Sequence, residues 1–217
     1  MSTSLAHENM IKQQIRTMNI TDPKIIDILT ATPRDAFVPN AHKALAYSET
    51  MLPLPFNQHM LTPAIEAEML KAAQLKPTDK VLEVGTGSGY FTALLAKASH
   101  HVFSVEQHDD LVLHAAQALF ENHVHNITLD TGDAAQGWDQ HGPYDAIVIT
   151  GSLPILPEAF TKALTLGGRL IAVLGDAPTM ELTRITRTSN NDWHKEILLE
   201  TVIPCLDNVD QPERFAF

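Results

Sequence analysis

Cysteine is almost absent from this chain: Cys205 is the sole one in 217 residues, which excludes an intrachain disulfide and a cysteine-based zinc site. Positive charge is scarce as well, with 15 Lys and Arg against 26 Asp and Glu, a net charge of −11. Proteins that hold nucleic acid by its phosphates need a positive surface, because phosphate neutralisation supplies most of the affinity, so a broad nucleic-acid groove is not expected. The acidity itself argues only for solubility. No uninterrupted apolar run is long enough to span a bilayer, and the opening Met1-Ser-Thr-Ser-Leu-Ala-His-Glu has no basic region followed by an apolar core. A soluble, cytoplasmic protein with no membrane role is expected. Internal repeats and low-complexity segments are missing too. What the chain does have is a 44% apolar composition, enough for one substantial core, and a single domain over residues 1–217 is expected.

The pattern along the chain changes once. Met10, Ile11, Ile15 and Met18 predict a helix over Glu8–Met18. Asp22-Pro23 is a helix start, a capping carboxylate followed by a proline at the first helical position, with Ile25, Ile26, Ile28 and Leu29 on one face and Thr32-Pro33-Arg34 at its end. From Phe37 to Pro63 the prolines 39, 53, 55 and 63 predict short, loop-rich structure, a cap over something. Thr62-Pro63 repeats the start signature for a helix over Ala64–Leu75. Beyond residue 78 the chain alternates: strands Lys80–Val84, His101–Val105, Asn126–Leu129, Asp145–Thr150 and Arg169–Leu174, with helices Tyr90–Ala98, Leu111–Asn122 and Leu156–Leu164 between them. Glu181–Thr188 and Trp193–Ile203 read as a closing antiparallel hairpin at the sheet edge. Strands separated by helices mean βαβ units, hence an α/β, doubly wound, mostly parallel sheet (79–217) preceded by a helical, loop-rich cap (1–78).

The most telling stretch is Val81-Leu82-Glu83-Val84-Gly85-Thr86-Gly87-Ser88-Gly89-Tyr90. An apolar strand delivers the chain into a glycine turn at a helix N-terminus, where backbone N–H groups are exposed and no Cβ blocks a ligand. The spacing is G-x-G-x-G, not the dinucleotide G-x-G-x-x-G, and Glu83 precedes it, which points to S-adenosylmethionine (SAM) rather than NAD. Glu106 ends the next strand, placed to accept hydrogen bonds from both ribose hydroxyls, and Asp133 follows the third strand, placed for the exocyclic amine of an adenine. With Gly85, Thr86, Gly87 and Ser88 of the loop, Gln107, Gly132, Ala134 and Thr150 complete the expected cofactor set. Glu83 is expected to orient the loop and face the cationic end of SAM, because a buried carboxylate needs partners.

On the other side, Gln58, His59 and Thr62 stand at the cap. Thr62 is first of all the N-cap of its helix, whose N-terminus, if it faces the cleft, favours an anionic substrate group. Eleven histidines invite a metal reading, but His100-His101 and His123-x-His125 lack metal-ligand spacing, and no metal is expected. Ser152 does not satisfy the G-x-S-x-G nucleophile elbow and is expected to line the cleft instead. Cys205, beside Pro204, reads as a structural thiol.

Over nearly its whole length the chain resembles the protein-L-isoaspartate O-methyltransferase family, within the class I SAM-dependent methyltransferases. The resemblance is carried by Met10-Ile11-x-x-Gln14-Ile15, Pro33-Arg34-Asp35-Ala36-Phe37-Val38-Pro39, Ala46-Tyr47, the glycine motif, Ser104-Val105-Glu106, Gly132-Asp133 with Gln136-Gly137-Trp138, Tyr144-Asp145-Ala146-Ile147 and Leu166-Gly167-Gly168-Arg169-Leu170. It implies a seven-stranded SAM-binding fold and methylation of the α-carboxylate of L-isoaspartyl residues in damaged proteins. The ester then breaks down spontaneously to a succinimide that partly reopens to aspartate. Two segments depart from the family. Its Gln-Thr-Ile-Ser-x-Pro is Gln58-His59-Met60-Leu61-Thr62-Pro63 here, so Leu61 stands at the serine position. Its Arg-Phe-Val-Pro-Leu strand is replaced by Ile203-Pro204-Cys205-Leu206-Asp207.

A carboxylate acceptor is already ionised and needs no general base, which matches the lack of an obvious acid–base pair; alignment in a dry cleft is the protein's task. Hydrogen bonds from Thr62, His59 or backbone N–H groups are expected to hold it. The partners expected are isoaspartyl peptides or proteins, or another small acceptor, for a monomer or homodimer. The rival readings are a divergent member with another acceptor, motivated by Leu61, a non-catalytic SAM-binding module, and an NAD oxidoreductase, which the glycine spacing disfavours.

Overall fold

The computed structural model describes residues 3–212. Helix α1 (Thr3–Asn9) runs on through a π-helical turn (Met10–Ile15) and a 3-10 turn (Arg16–Met18), burying Met10, Ile11 and Ile15. Helix α2 (Pro23–Thr30) begins as its sequence dictates: Asp22 accepts the Lys24 N–H at 2.9 Å, Pro23 supplies a helical φ, and Ile25, Ile26, Ile28 and Leu29 face inward. The proline-punctuated stretch forms 3-10 turns and one minimal antiparallel pair, β1 (Leu52–Pro53) with β2 (His59–Met60). Helix α3 (Pro63–Ala73) follows, almost wholly buried.

The main sheet contains β3 (Lys80–Val84), β4 (His101–Glu106), β5 (Ile127–Thr131), β6 (Tyr144–Leu153), β7 (Leu164–Asp176), β8 (Thr179–Arg187) and β9 (Trp193–Glu200). Their spatial order is β5-β4-β3-β6-β7-β8-β9. The pairs from β5 to β7 are parallel, and β7–β8 and β8–β9 are antiparallel, giving the expected edge hairpin. Helices α4 (Tyr90–Ala98), α5 (Asp109–Glu121) and α6 (Glu158–Lys162) provide the later crossovers. Val81, Leu82, Ala146, Ile147, Val148, Ile149, Leu170, Ile171, Ala172 and Val173 have no exposed surface, as strands covered on both faces require. Each such Val, Ile or Leu contributes roughly 1.5–3 kcal/mol on burial.

Several boundaries differ from the sequence expectation, two of them on the strands and helix around β6. The helix expected over Leu156–Leu164 is shorter, because Leu164 already pairs with Tyr144 as the first residue of β7. The strand expected to stop at Thr150 continues to Leu153 across an irregularity between Val148 and Ser152, because Ser152 and Leu153 pair with Val173 and Leu174. No helix among the described residues is long and apolar enough to cross a membrane. Strand β3 has β4 on one side and β6 on the other, so the chain reverses its winding there. In open α/β sheets that reversal opens a crevice at the carboxyl ends of the strands, and here the glycine loop opens into it.

Candidate active site

The crevice is a cleft of about 700 Å³ whose floor is made of successive strand ends. From β3 come Val84, Gly85 and Gly87, from β4 Glu106 and Gln107, after β5 Gly132, Asp133 and Ala134, and from β6 Thr150. Gly85 has φ +92°, and a Cβ there would lie 2.3 Å from Thr150 Oγ1, so this position requires glycine. Thr150 Oγ1 sits 2.9 and 2.8 Å from the carbonyl oxygens of Val84 and Gly85 and shares its proton between them, fixing the start of the loop. The two oxygens of Glu106 accept the backbone N–H groups of Gly87 (3.0 Å) and His108 (3.2 Å). Asp133 accepts the Ala135 N–H at 2.9 Å, and the Trp138 ring packs so closely under Gly132 that a Cβ would meet it at 2.5 Å. Each of these carboxylate oxygens keeps lone-pair capacity toward the cleft.

Thr86 and Ser88 line an adjoining chamber of about 300 Å³ with Leu54, Glu66 and Phe91. His59, Leu61, Gly85, Gly87 and Thr150 border both chambers and mark their junction.

Glu83 corrects part of the expectation. It is fully buried and lines neither chamber: its Oε2 accepts the hydroxyls of Thr92 (2.5 Å) and Ser104 (2.6 Å), and Ser104 in turn meets Thr86 Oγ1 at 2.6 Å. Burial pushes its carboxyl up to about 8, against the two hydroxyls. It therefore orients the loop from behind and presents no charge to the cleft.

Three further corrections concern Thr62 on the cap, Ser152 on β6 and Cys205 after β9. Gln58 and His59 line the cleft, but Thr62 does not; it borders a separate groove beside Gln14 and Val202. Its Oγ1 caps α3 through the Ile65 N–H at 3.4 Å, while Leu61, one residue earlier, faces the cleft. The hydroxyl next to the family's serine position thus points elsewhere and cannot act for it. Ser152 is also not on the cleft wall. It is fully buried under the C-terminal segment, with its N–H donating to Pro204 O (2.8 Å) and its carbonyl accepting the Leu206 N–H (3.1 Å). That segment carries Cys205, an exposed thiol on the cleft wall rather than a structural one. Burial raises its pKa.

Sequence reasoning missed what holds this wall in place. Arg34, with no exposed surface, donates to the Leu61 carbonyl at 2.5 Å, ion-pairs with Glu66 and stacks over Tyr90, 4.9 Å from the ring centroid. Burial pushes Glu66 up to about 7, opposed by Arg34. Asp207 and Asn208 were missed as well; they reach across to Gln58, Gln107 and Asp133. A Pro-Arg pair gives no local sign that its guanidinium will hold a loop 27 residues away. His59 Nδ1 is buried and meets no hydrogen-bond partner among the described residues. No group of three or more His, Cys, Asp or Glu side chains able to hold a metal ion occurs among the described residues.

A sequence profile of the protein-L-isoaspartate(D-aspartate) O-methyltransferase family matches residues 5–209. The chain belongs to that family. It is 38% identical over 192 residues to protein-L-isoaspartate O-methyltransferase 2 of Pelobacter propionicus, covering 88% of this chain and 85% of the relative. It is 38% identical over 202 residues to protein-L-isoaspartate O-methyltransferase 1 of Rhodopseudomonas palustris, covering 92% and 82%. A Plasmodium falciparum protein assigned to the same family, crystallised with S-adenosyl-L-homocysteine, shares the fold at a TM-score of 0.79 and 22% identity, over 94% of this chain and 97% of that one. The family is one of SAM-dependent methyltransferases, and the residues present fit its cofactor. Glu106 and Asp133 each already accept two hydrogen bonds and keep lone-pair capacity that would suit a ribose diol and an amino group, and the glycine turn leaves room for close backbone approach.

Proposed function

We propose that this family member transfers the methyl group of SAM to the α-carboxylate of L-isoaspartyl residues in proteins and peptides. The single observation that carries the reading is the junction of the two chambers. The nucleoside-binding groups lie at one end of the cleft, and His59 and Leu61 face Gly85 and Thr150 where the second chamber opens. SAM supplies a methyl carbon already activated on a sulfonium. A carboxylate supplies an ionised nucleophile, so the protein has no proton to remove. What remains is to bring oxygen and carbon into line and keep water out. Arg34 serves the first task by fixing the Leu61 carbonyl, and with it the cap wall against the glycine loop. Leu54, Leu61 and Phe91 serve the second as apolar walls of the acceptor chamber. His59, whose side chain borders both chambers, is the residue of the cap wall that donates to the acceptor in this reading.

The test is transfer of labelled methyl from SAM to an isoaspartyl peptide, with the aspartyl isomer as control. Base-labile label on the isoaspartyl peptide alone is the expected result; no label, with SAM binding intact, overturns the reading. One observation favours a second reading, a divergent acceptor. Leu61 is buried in the wall at the family's serine position, and Thr62 is turned away. Isoaspartyl transfer that emerges only in Leu61→Ser decides for that reading.

A further inference from the structure

A knot of side chains centred on Asp207 joins the walls of the cleft. Asp207 Oδ2 accepts Gln58 Nε2 at 2.9 Å and Gln107 Nε2 at 2.6 Å, and His108 Nε2 lies 3.9 Å from the same oxygen. These groups stand on opposite walls, Gln58 on the cap and Gln107 and His108 on the turn after β4. Asp207 itself rides on the C-terminal segment, which Ser152 ties to β6. The next residue, Asn208, donates to Asp133 Oδ2 at 2.9 Å, so the same segment also reaches the adenine end of the site.

The cap tip is held in a shape it would not adopt alone. Phe56 and Asn57 have φ of 60° and 59°, the left-handed region that side-chain-bearing residues disfavour. Strain of this kind persists only where contacts over-determine it. The contacts here cross the cleft: Phe56 stacks on His108 with centroids 4.4 Å apart and planes at 8°, and Gln58 reaches Asp207.

We propose that Asp207 is a latch. It ties the cap tip to the cofactor wall and sets how long SAM, and the S-adenosylhomocysteine left after transfer, stay in the cleft. The proposal rests on the cofactor placement and not on the identity of the methyl acceptor. One carboxylate oxygen serves donors from both walls, so losing this one side chain breaks both hydrogen bonds at once and leaves only the Phe56–His108 stack between cap tip and turn, whereas losing either glutamine leaves the other in place. The carboxylate is 49% exposed, so water can replace its partners when the latch opens, as each turnover requires. Asp207 is a positioning residue, acting through Gln58 and Gln107.

The test is the dissociation rate of S-adenosylhomocysteine and of SAM, followed by stopped-flow tryptophan fluorescence without any acceptor; Trp138 beneath Gly132 is the reporter. Asp207→Ala is expected to speed release of both by about tenfold or more, the scale of lost hydrogen bonds to a charged group. Asp207→Asn, which keeps an acceptor oxygen, should fall between. In turnover, KM for SAM should rise while kcat does not fall. Faster release of SAM alone would mean direct attraction between Asp207 and the sulfonium, and overturns the latch. So does release within about twofold of wild type in the folded alanine variant, by the same bond-strength scale. A lowered thermal midpoint with unchanged release shows a merely structural residue and overturns it too. Wild-type protein that does not bind S-adenosylhomocysteine removes both the cofactor placement and the latch. Faster release in the variants, combined with no methylation of isoaspartyl peptide by wild type, sinks the proposed acceptor and leaves the latch standing.

Discussion

Replacing Glu83 with glutamine should remove a pH-dependent loss of stability built into the centre of the sheet. The side chain is fully buried against β4 and α4, and loss of water pushes its carboxyl from an ordinary 4.5 up to about 8, with the Ser104 and Thr92 hydroxyls pulling the other way. The unfolded chain releases this proton near 4.5 and the folded protein only near 8, so between the two the native state holds a proton that the unfolded state has lost. The stability attached to the neutral acid is therefore fully present below about 4.5, declines as pH rises toward 8, and is gone above it. At about 1.4 kcal/mol per unit, the whole interval amounts to roughly 4–5 kcal/mol, and the part between about pH 6 and about pH 8.5 to roughly 2–3 kcal/mol. In Glu83→Gln the amide oxygen can still accept both hydroxyls. Its NH2 takes the place of Glu83 Oε1, which meets no partner among the described residues, a fixed penalty of about 1–3 kcal/mol at every pH.

Urea unfolding of wild type and variant at those two pH values, without cofactor, isolates the effect. The variant is expected to gain roughly 2–3 kcal/mol on wild type between the lower and the higher pH, whatever its fixed offset. Glu66, pushed up to about 7 by burial, slopes the same way in both proteins and largely drops out of the difference, its charge being the smallest of the influences on Glu83. A gap that stays constant with pH would show that Glu83 is ionised throughout in the folded state, and the burial reasoning would fail.

At the cofactor end, Glu106→Gln and Asp133→Ala should each weaken SAM binding by about 1–3 kcal/mol, measured by calorimetry; unchanged affinity in both folded variants removes the nucleoside from these strand ends. Arg34→Met strands Glu66 in the core and should lower stability by about 3–5 kcal/mol. The double variant Arg34→Met with Glu66→Leu should recover most of that stability but leave the Leu61 carbonyl unheld, so methyl transfer should stay low; restored transfer in the double variant would refute the positioning role of Arg34.

How much of this was legible in the sequence follows from how local each signal is. Strand β3, helix α4 and the start of α2 were readable because apolar runs, capping carboxylates and prolines act over a few residues. The cofactor end was readable for a related reason. In a parallel sheet, successive strands deliver their carboxyl ends to one edge, so Gly85, Glu106 and Asp133 meet in the order in which the chain makes them. Glu83 was half readable. Strand β3 is buried on both faces, so its pattern cannot say which face receives the carboxylate, and it went to Ser104 and Thr92.

The acceptor end follows no such order. It is assembled from the cap at residues 58–61, from Glu66 held through Arg34, and from the segment at 204–207, pieces that only the finished fold brings together. At the end of the cap, Leu61 and Thr62 border different cavities, so a one-residue difference decides which side chain the cleft receives. Leu61 faces the cleft, and the nearby hydroxyl of Thr62 is consumed in capping α3. Ser152 was misplaced because β6 continues past its irregularity and lays it under a segment 51 residues away in sequence. The two ends share the glycine loop and Thr150, while the carboxylates Glu106 and Asp133 belong to one end and Leu54, Glu66 and Phe91 to the other. The cofactor end can keep every carboxylate and glycine it needs while the acceptor wall exchanges a hydroxyl for a hydrocarbon at Leu61. Substitutions at His59 and Leu61 should for that reason redirect methyl transfer among acceptors far more than they change affinity for SAM.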